Sequence, residues 1–439
     1  MVKTWAVVVA TLWVAGCGSE VDSPDDTQVV WAVNVAGPEY LARDGTLFVA
    51  SEALSGGAIG RLDIVKGSQD PALYQTYRYG DVVLEKSIAN GAYDVTFHFA
   101  EPDEVAAGAR VFSAFAENRS VIDDLDVMQF RDGKVHSALT VTAPGVTVAD
   151  GHLSIRFEAT HGEPVLSALV VRAAGAIASP WSLVWRDEFN QNGPPDAARW
   201  NIDVWAARKV NDEDQAYTAR AKNVRVEDGH LVLEAWREDY DDARFTSARI
   251  HSQGKGDVLY GRVEVRAKLP AGKGSWPAIW MLPSDPFRYA TMCSEGDEWQ
   301  GSPDCDAWPN SGEIDIMEHV GYQMNHVHGT VHNKAYYWIN WEQRKGRVLL
   351  EDVANNFHTY ALEWGPDDIR IFVDDTLYFT YVNEGGDWRA WPFDHPFHVI
   401  MNVAVGGYWG RAGGGIDESI FPQRMLVDYV RVYERAGRK

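Results

Sequence analysis

Ser311 to Val320 reads SGEIDIMEHV, an apolar run interrupted by three carboxylates, Glu313, Asp315 and Glu318. Side chains on a β-strand alternate faces, so Glu313 and Asp315 share a face, while strict alternation sends Glu318 to the other. One extra residue, a β-bulge at Ile316-Met317, returns Glu318 to the side of the other two; such bulges often sit beside active sites. Ile314, Ile316 and Met317 then supply a core side, which leaves the acids on a concave, non-core surface. A merely solvated polar face is the competing reading. It is disfavoured because crowding three like charges raises their pKa values and costs stability.

The spacing has a chemical use. Two Glu carboxyls on one face, five positions apart across a bulge, come to about the 5–5.5 Å separation that retaining glycosidases use. One can then reach the anomeric carbon while the other, kept protonated, reaches the leaving oxygen. Asp315 between them would help keep one Glu protonated and steer the other.

The rest of the chain narrows the setting. With 439 residues, two domains are expected. A formal charge of −23, from 63 acidic and 40 basic residues, argues against nucleic acid as a partner and for a neutral one. The 18 Trp and 18 Tyr are enough to supply both a core and flat surfaces for sugar rings. At the N-terminus Lys3 precedes an apolar stretch, Trp5 to Val14, that is too short to span a membrane. Val14-Ala15-Gly16-Cys17 resembles the lipobox of bacterial lipoproteins. The resemblance implies that residues 1–16 are a signal peptide, that Cys17 is lipidated, and that residues 17–27 tether the protein to the cell envelope, at the outer membrane or cell surface. An ordinary signal peptide is the competing reading, and either one takes the protein out of the cytoplasm. Cys293 and Cys305 bracket a Gly/Ser/Asp-rich loop; in an exported protein they are expected to form a disulfide.

Residues 28–173 alternate short apolar runs with turn signals at Asn90-Gly91, Asp132-Gly133 and Asp150-Gly151, the pattern of an antiparallel β-sandwich. LYQTYRYG (Leu73 to Gly80), NGAYDVTFHFAE (Asn90 to Glu101) and Arg110-Val111-Phe112 resemble the malectin family of carbohydrate-binding sandwiches. Tyr74, Tyr77 and Tyr79 are its candidate platform, with packing inside the sandwich as the alternative. The loop after FAE departs from the family's lectins: Pro102 to Gly108 (PDEVAAG) lacks their aromatic residues. Residues 174–180 form a short connector ending in Pro180. Residues 181–437 again carry many strand-like runs and almost no helical periodicity, so the fold class is all-β, a jelly roll of two packed antiparallel sheets preceded by the smaller sandwich.

GEIDIMEHVG, GSWPAIWMLP (Gly274 to Pro283), HGTVH (His328 to His332), FHVIMNVAVGG (Phe397 to Gly407) and VDYVRVY (Val427 to Tyr433) resemble glycoside hydrolase family sixteen in its laminarinase-type branch. The resemblance implies a concanavalin A-like jelly roll with a concave cleft, Glu313 as nucleophile, Glu318 as acid/base and Asp315 as helper. Trp276 and Trp280 are expected to present flat surfaces to glucosyl units, with core packing as the alternative for each. His332 is expected to point at the carboxylates. A metal site at His326, His328 and His332 is the minor alternative. Asn211, Glu213, Gln215, Tyr217 and Arg249 match family positions near the glycone subsites, and Asn402 sits in a strand that the fold would place by the cleft; a structural role is the alternative for each. Catalysis needs no cofactor in this family, but members often hold a structural calcium, for which Glu188 and Asp428 would supply carboxylates and a position near Gly229 a backbone oxygen; surface acids with no ion are the alternative.

The expectation is therefore an exported, lipid-anchored, monomeric endo-β-1,3-glucanase acting on laminarin-type β-glucan. Mixed-linkage glucan and agar-type galactan are the alternative substrates. A non-catalytic glucan-binding surface lipoprotein is the alternative of another class, weakened by the presence of all three acids.

Overall fold

The computed structural model describes residues 29–51, 56–131, 133–174 and 181–435. The signal segment, Cys17, the tether and residues 175–180 of the connector lie outside the described residues. Among the described residues no α-helix is longer than four residues.

In the N-terminal sandwich three long strands, β1 (Gly91–Ala100), β2 (Ala138–Val148) and β3 (Ala168–Ala173), form the centre of one sheet. Their inward residues, among them Val95, Phe97, Phe99, Leu139, Val141 and Leu169, pack against a second sheet built from Val83–Ser87, His152–His161, Val111–Ala116 and Arg119–Leu125. A single helical turn, α1 (Val127–Phe130), follows and is capped by Asp126, whose side chain accepts from the Gln129 amide. Tyr74 is buried at 3% exposure, with its hydroxyl 2.9 Å from His98 Nδ1, so this ring is core; Tyr77 and Tyr79 are half-buried against the sandwich.

Six strands of the C-terminal unit carry the site: β4 (Arg249–His251), β5 (Ser275–Pro283), β6 (Glu313–Glu318), β7 (His326–His332), β8 (Arg344–Leu349) and β9 (Phe397–Val405). They lie side by side in the order β4-β9-β5-β6-β7-β8. Behind them a ten-stranded sheet is organised on the long strand Gln423–Arg435, and the apolar faces of the two sheets close one core. GSWPAIWMLP, whose Trp276 and Trp280 flank Pro277, forms a central strand. Ala278 and Ile279 pair with Glu318 and Met317 on one side, and the whole strand pairs with β9 on the other. Pro277 has no N–H to give to the ladder, but its carbonyl still accepts from the His319 amide.

The two units share a sheet. Strand β2 of the sandwich lies parallel to β8, with Thr142 opposite Val348, so a single sheet of thirteen strands runs through both. The sandwich's second sheet stands on the same side of that shared sheet as the cleft. Phe130 of α1 consequently covers the Arg347 guanidinium, 3.7 Å from the ring centre, and lies 4.7 Å from the His326 ring.

Candidate active site

Strand β6 holds the acids, and its ladders locate the bulge. Toward β5, Met317 pairs with Ile279 and Asp315 with Trp280; toward β7, Glu318 pairs with His328 and Asp315 with Thr330. Three residue steps on β6 thus match two on β7, which brings Glu313, Asp315 and Glu318 to one face, while Ile314, Ile316 and Met317 are fully buried on the core side. The Tyr378 hydroxyl donates to Ile316 O at 2.7 Å and ties down the bulge. Gly312 enters the strand at φ 91°, and a Cβ there would sit 3.0 Å from the Phe393 and Pro392 rings.

Each glutamate receives an indole N–H: Trp308 Nε1 donates to Glu313 Oε2 at 3.0 Å, and Trp276 Nε1 to Glu318 Oε1 at 3.1 Å. His332 Nε2 stands 3.6 Å from Glu313 Oε1 and 3.5 Å from Asp315 Oδ2. Burial raises the pKa of all three acids. Glu313 is pushed up to about 8, next by the Glu318 charge, and Glu318 to about 7. Asp315 is raised well above the carboxylate range, by burial and then by the charges of its two neighbours. The cluster therefore retains protons near neutrality, as a site needing one acid and one base requires. Three influences favour ionisation of Glu313: the Trp308 hydrogen bond, the Arg249 charge and a hydrogen bond with Asp315. Glu318 has Trp276 and the Lys345 charge. His332 is held neutral, its pKa lowered to about 3 by burial and by Lys345.

The remaining predicted binding residues form a connected layer across β4, β9 and the segment before them. Glu213, 6% exposed, accepts from Asn211 at 3.2 Å, Gln215 at 2.7 Å and Tyr217 at 3.2 Å. Asn402 Nδ2 donates to the Tyr217 hydroxyl at 3.1 Å, and its Oδ1 accepts from Trp280 at 2.7 Å. Arg249, 3% exposed, lies between the Trp205 and Trp280 rings, 4.2 and 5.1 Å from their centres, and donates to Gln300 Oε1 at 2.9 Å. Gln300 belongs to the loop closed by the Cys293–Cys305 disulfide, so that loop borders this end of the cleft. Glu213, Gln215, Arg249 and Asn402 are nearly buried and act first on one another, aiming Trp280 and the Asn211 edge.

Among the described residues, the group able to hold a metal is Glu313, Asp315 and His332, which are the acids of the cleft and their histidine. His326 and His328 instead pack against Phe130 and Trp409. The carboxylates named for a calcium are engaged by arginines. Glu188 takes both its hydrogen bonds from Arg431 at 2.9 Å, the Asp428 carboxylate accepts from Arg266, and Gly229 sits in a turn at φ 77°.

Four residues at the cleft escaped the sequence reading. Trp308 and Gln343 lie in irregular segments. Lys345 and Trp409 reach Glu318 and His328 only through the register of β8 and the turn after β9. A Trp-Pro pair placed just before the SGEID stretch was the one available signal.

The family model for glycosyl hydrolases family 16 matches residues 211–431, and the malectin domain model matches residues 29–174. A β-glucanase of Rhodothermus marinus is 48% identical over 262 residues, covering 58% of this chain and 86% of the relative. A keratan-sulfate endo-1,4-β-galactosidase of Sphingobacterium multivorum is 33% identical over 274 residues, 61% of this chain and 58% of that one. Among solved structures, the laminarinase from Rhodothermus marinus superposes with a TM-score of 0.52 at 49% identity, covering 58% of this chain and 97% of that chain. A non-specific endo-β-1,3(4)-glucanase co-crystallised with a glucan oligosaccharide gives 0.53 at 42% identity, over 59% and 96%. The bulged acid strand, its indole donors and these matches lead to one conclusion: the chain belongs to glycosyl hydrolases family 16, and it is a glycoside hydrolase with a malectin domain at its N-terminal end.

Proposed function

We propose that the protein is a retaining endo-β-1,3-glucanase acting on laminarin-type β-glucan. The observation that carries the reading is the bulge that places Glu313 and Glu318 on one face, each with an indole donor and with Asp315 between them. Glu313, oriented by its hydrogen bonds with Trp308 and Asp315, attacks the anomeric carbon as the carboxylate. The bond from that carbon to the leaving oxygen breaks as Glu318 passes its proton to that oxygen, leaving a glycosyl ester on Glu313. Glu318, now a carboxylate, takes a proton from water, which attacks the same carbon and frees Glu313. Asp315 keeps its proton and donates to Glu313, which orients the nucleophile and tempers its charge. Neutral His332 stands beside both, 3.6 Å from Glu313 and 3.5 Å from Asp315.

The substrate assignment is supported by the laminarinase and endo-β-1,3(4)-glucanase activities named for the similar solved structures, and hydrolysis of mixed-linkage glucan is a second reading favoured by the 42% identity to the non-specific enzyme. A reducing-sugar assay on laminarin, lichenan and agarose separates them. Laminarin is expected to be cut fastest and Glu313→Gln to abolish turnover; activity on agarose without activity on laminarin would overturn the assignment. Export with a lipid on Cys17 belongs to the same proposal. It rests on the Val14-Ala15-Gly16-Cys17 sequence, and the mass of the mature N-terminus checks it.

A further inference from the structure

Residues 333–343, which join β7 to β8, expose three large apolar side chains almost in succession: Trp338 at 43%, Ile339 at 54% and Trp341 at 52%. Leaving two indoles in water is unfavourable by the area they expose, and such a patch beside polar groups marks a binding surface. The segment is not loose. Asn333 Oδ1 accepts from the Tyr336 amide, the Tyr336 hydroxyl donates to Glu384 at 3.0 Å, and Arg344 stacks on the Tyr336 ring at 3.8 Å. The malectin domain braces it from the other side. The Gly67 amide donates to Glu342 Oε2 at 3.2 Å, Lys134 Nζ donates to Trp338 O at 3.4 Å, and the same ammonium stands 5.7 Å over the Trp341 ring.

The segment also touches the catalytic cluster at both ends. The Tyr337 ring is 5.9 Å from that of Trp308, the donor to Glu313, and Gln343 Nε2 is 3.3 Å from His332 Nε2. The strand order places it on the β7–β8 side of β6, whereas Trp280, Asn402 and Arg249 lie on β5, β9 and β4, on the other side. If the latter hold the glycone, the exposed indoles stand along the path of the leaving chain. An uncharged polysaccharide offers apolar ring faces to indoles and hydroxyl edges to an ammonium, which are the groups presented here.

We infer that Trp338 and Trp341 form a distal platform for the leaving-group side of a β-glucan chain, held in place by the malectin domain. The inference rests on the substrate reading above. A platform beyond the catalytic subsites acts on long chains and not on short ones. In the full-length enzyme, Trp338→Ala with Trp341→Ala is expected to lower the ratio of kcat/KM on laminarin to kcat/KM on laminaritetraose about tenfold. Trp→Tyr at both positions is expected to restore most of it. In a Glu313→Gln background the Ala pair is expected to weaken laminarin binding by a similar factor. An unchanged ratio, or equal losses on polymer and tetrasaccharide, overturns the platform while leaving the substrate reading intact. A wild-type enzyme that cuts neither substrate overturns the substrate reading, and the platform with it.

Discussion

Glu313 and Glu318 are chemically the same side chain, and their neighbours make them different. Both are buried and both accept an indole N–H, but Glu313 also has the Arg249 charge, the Asp315 hydrogen bond and the opposing Glu318 charge, whereas Glu318 has the Lys345 charge. This arrangement costs stability. A carboxyl whose folded pKa is raised, as that of Glu313 is to about 8, binds its proton more tightly folded than unfolded. Its favourable contribution is therefore complete below the ordinary carboxylate pKa and is lost as pH climbs through about 8. Glu313→Gln removes the titration. The variant is expected to gain stability over the wild type progressively as pH climbs from the ordinary carboxylate range through about 8. Thermal unfolding at pH 5 and pH 8.5 checks this; a constant difference between the two would contradict it. The acids themselves were legible in the sequence because three carboxylates in an apolar strand have no structural excuse. Trp308 was not, since its role depends on a turn that brings its indole back onto Glu313.

At the scale of the strand, the bulge decides which side Glu318 faces. The ladders show one residue too many on β6 between Asp315 and Glu318. Inserting a further Ala between Met317 and Glu318 would turn Glu318 into the core and push the Ala into the cleft. Activity on laminarin is expected to fall about 10³-fold or more, the scale of a lost general acid. Deleting Met317 restores plain alternation and leaves all three acids on one face, so that variant is expected to stay more active than the insertion. Comparing the two kcat values, with circular dichroism to show that both fold, tests the argument; equal losses would count against it. The bulge was legible because the spacing of the acids fits no regular strand. Strand β5 was not, since Pro277 masks it and only pairing on both sides makes it central.

At the scale of the whole molecule, the malectin domain is part of the catalytic unit's architecture. Strand β2 extends the cleft-bearing sheet past β8, Gln69 donates to Val382 O at 2.8 Å and accepts from the Val382 amide at 2.9 Å, and Phe130 closes over Arg347. Arg347 is 1% exposed, so removing its aromatic cover opens a cavity beside a buried cation. Phe130→Ala is expected to cost about 3 kcal/mol and to split a single calorimetric transition into two, as the units lose their coupling. An unchanged single transition would show that the shared sheet suffices without this contact.

The sequence by itself determined the all-β class, the glycosidase chemistry of Glu313 and Glu318, and the presence of two units, because these depend on local periodicity and on side-chain types at short spacing. Only the tertiary structure decided that the units share one sheet, that Glu213, Arg249 and Asn402 lie in a buried network, and that the segment around Trp338 is braced by both units. Those facts rest on pairing between strands more than a hundred residues apart, such as β2 with β8, and no local pattern specifies which distant edge a strand will meet.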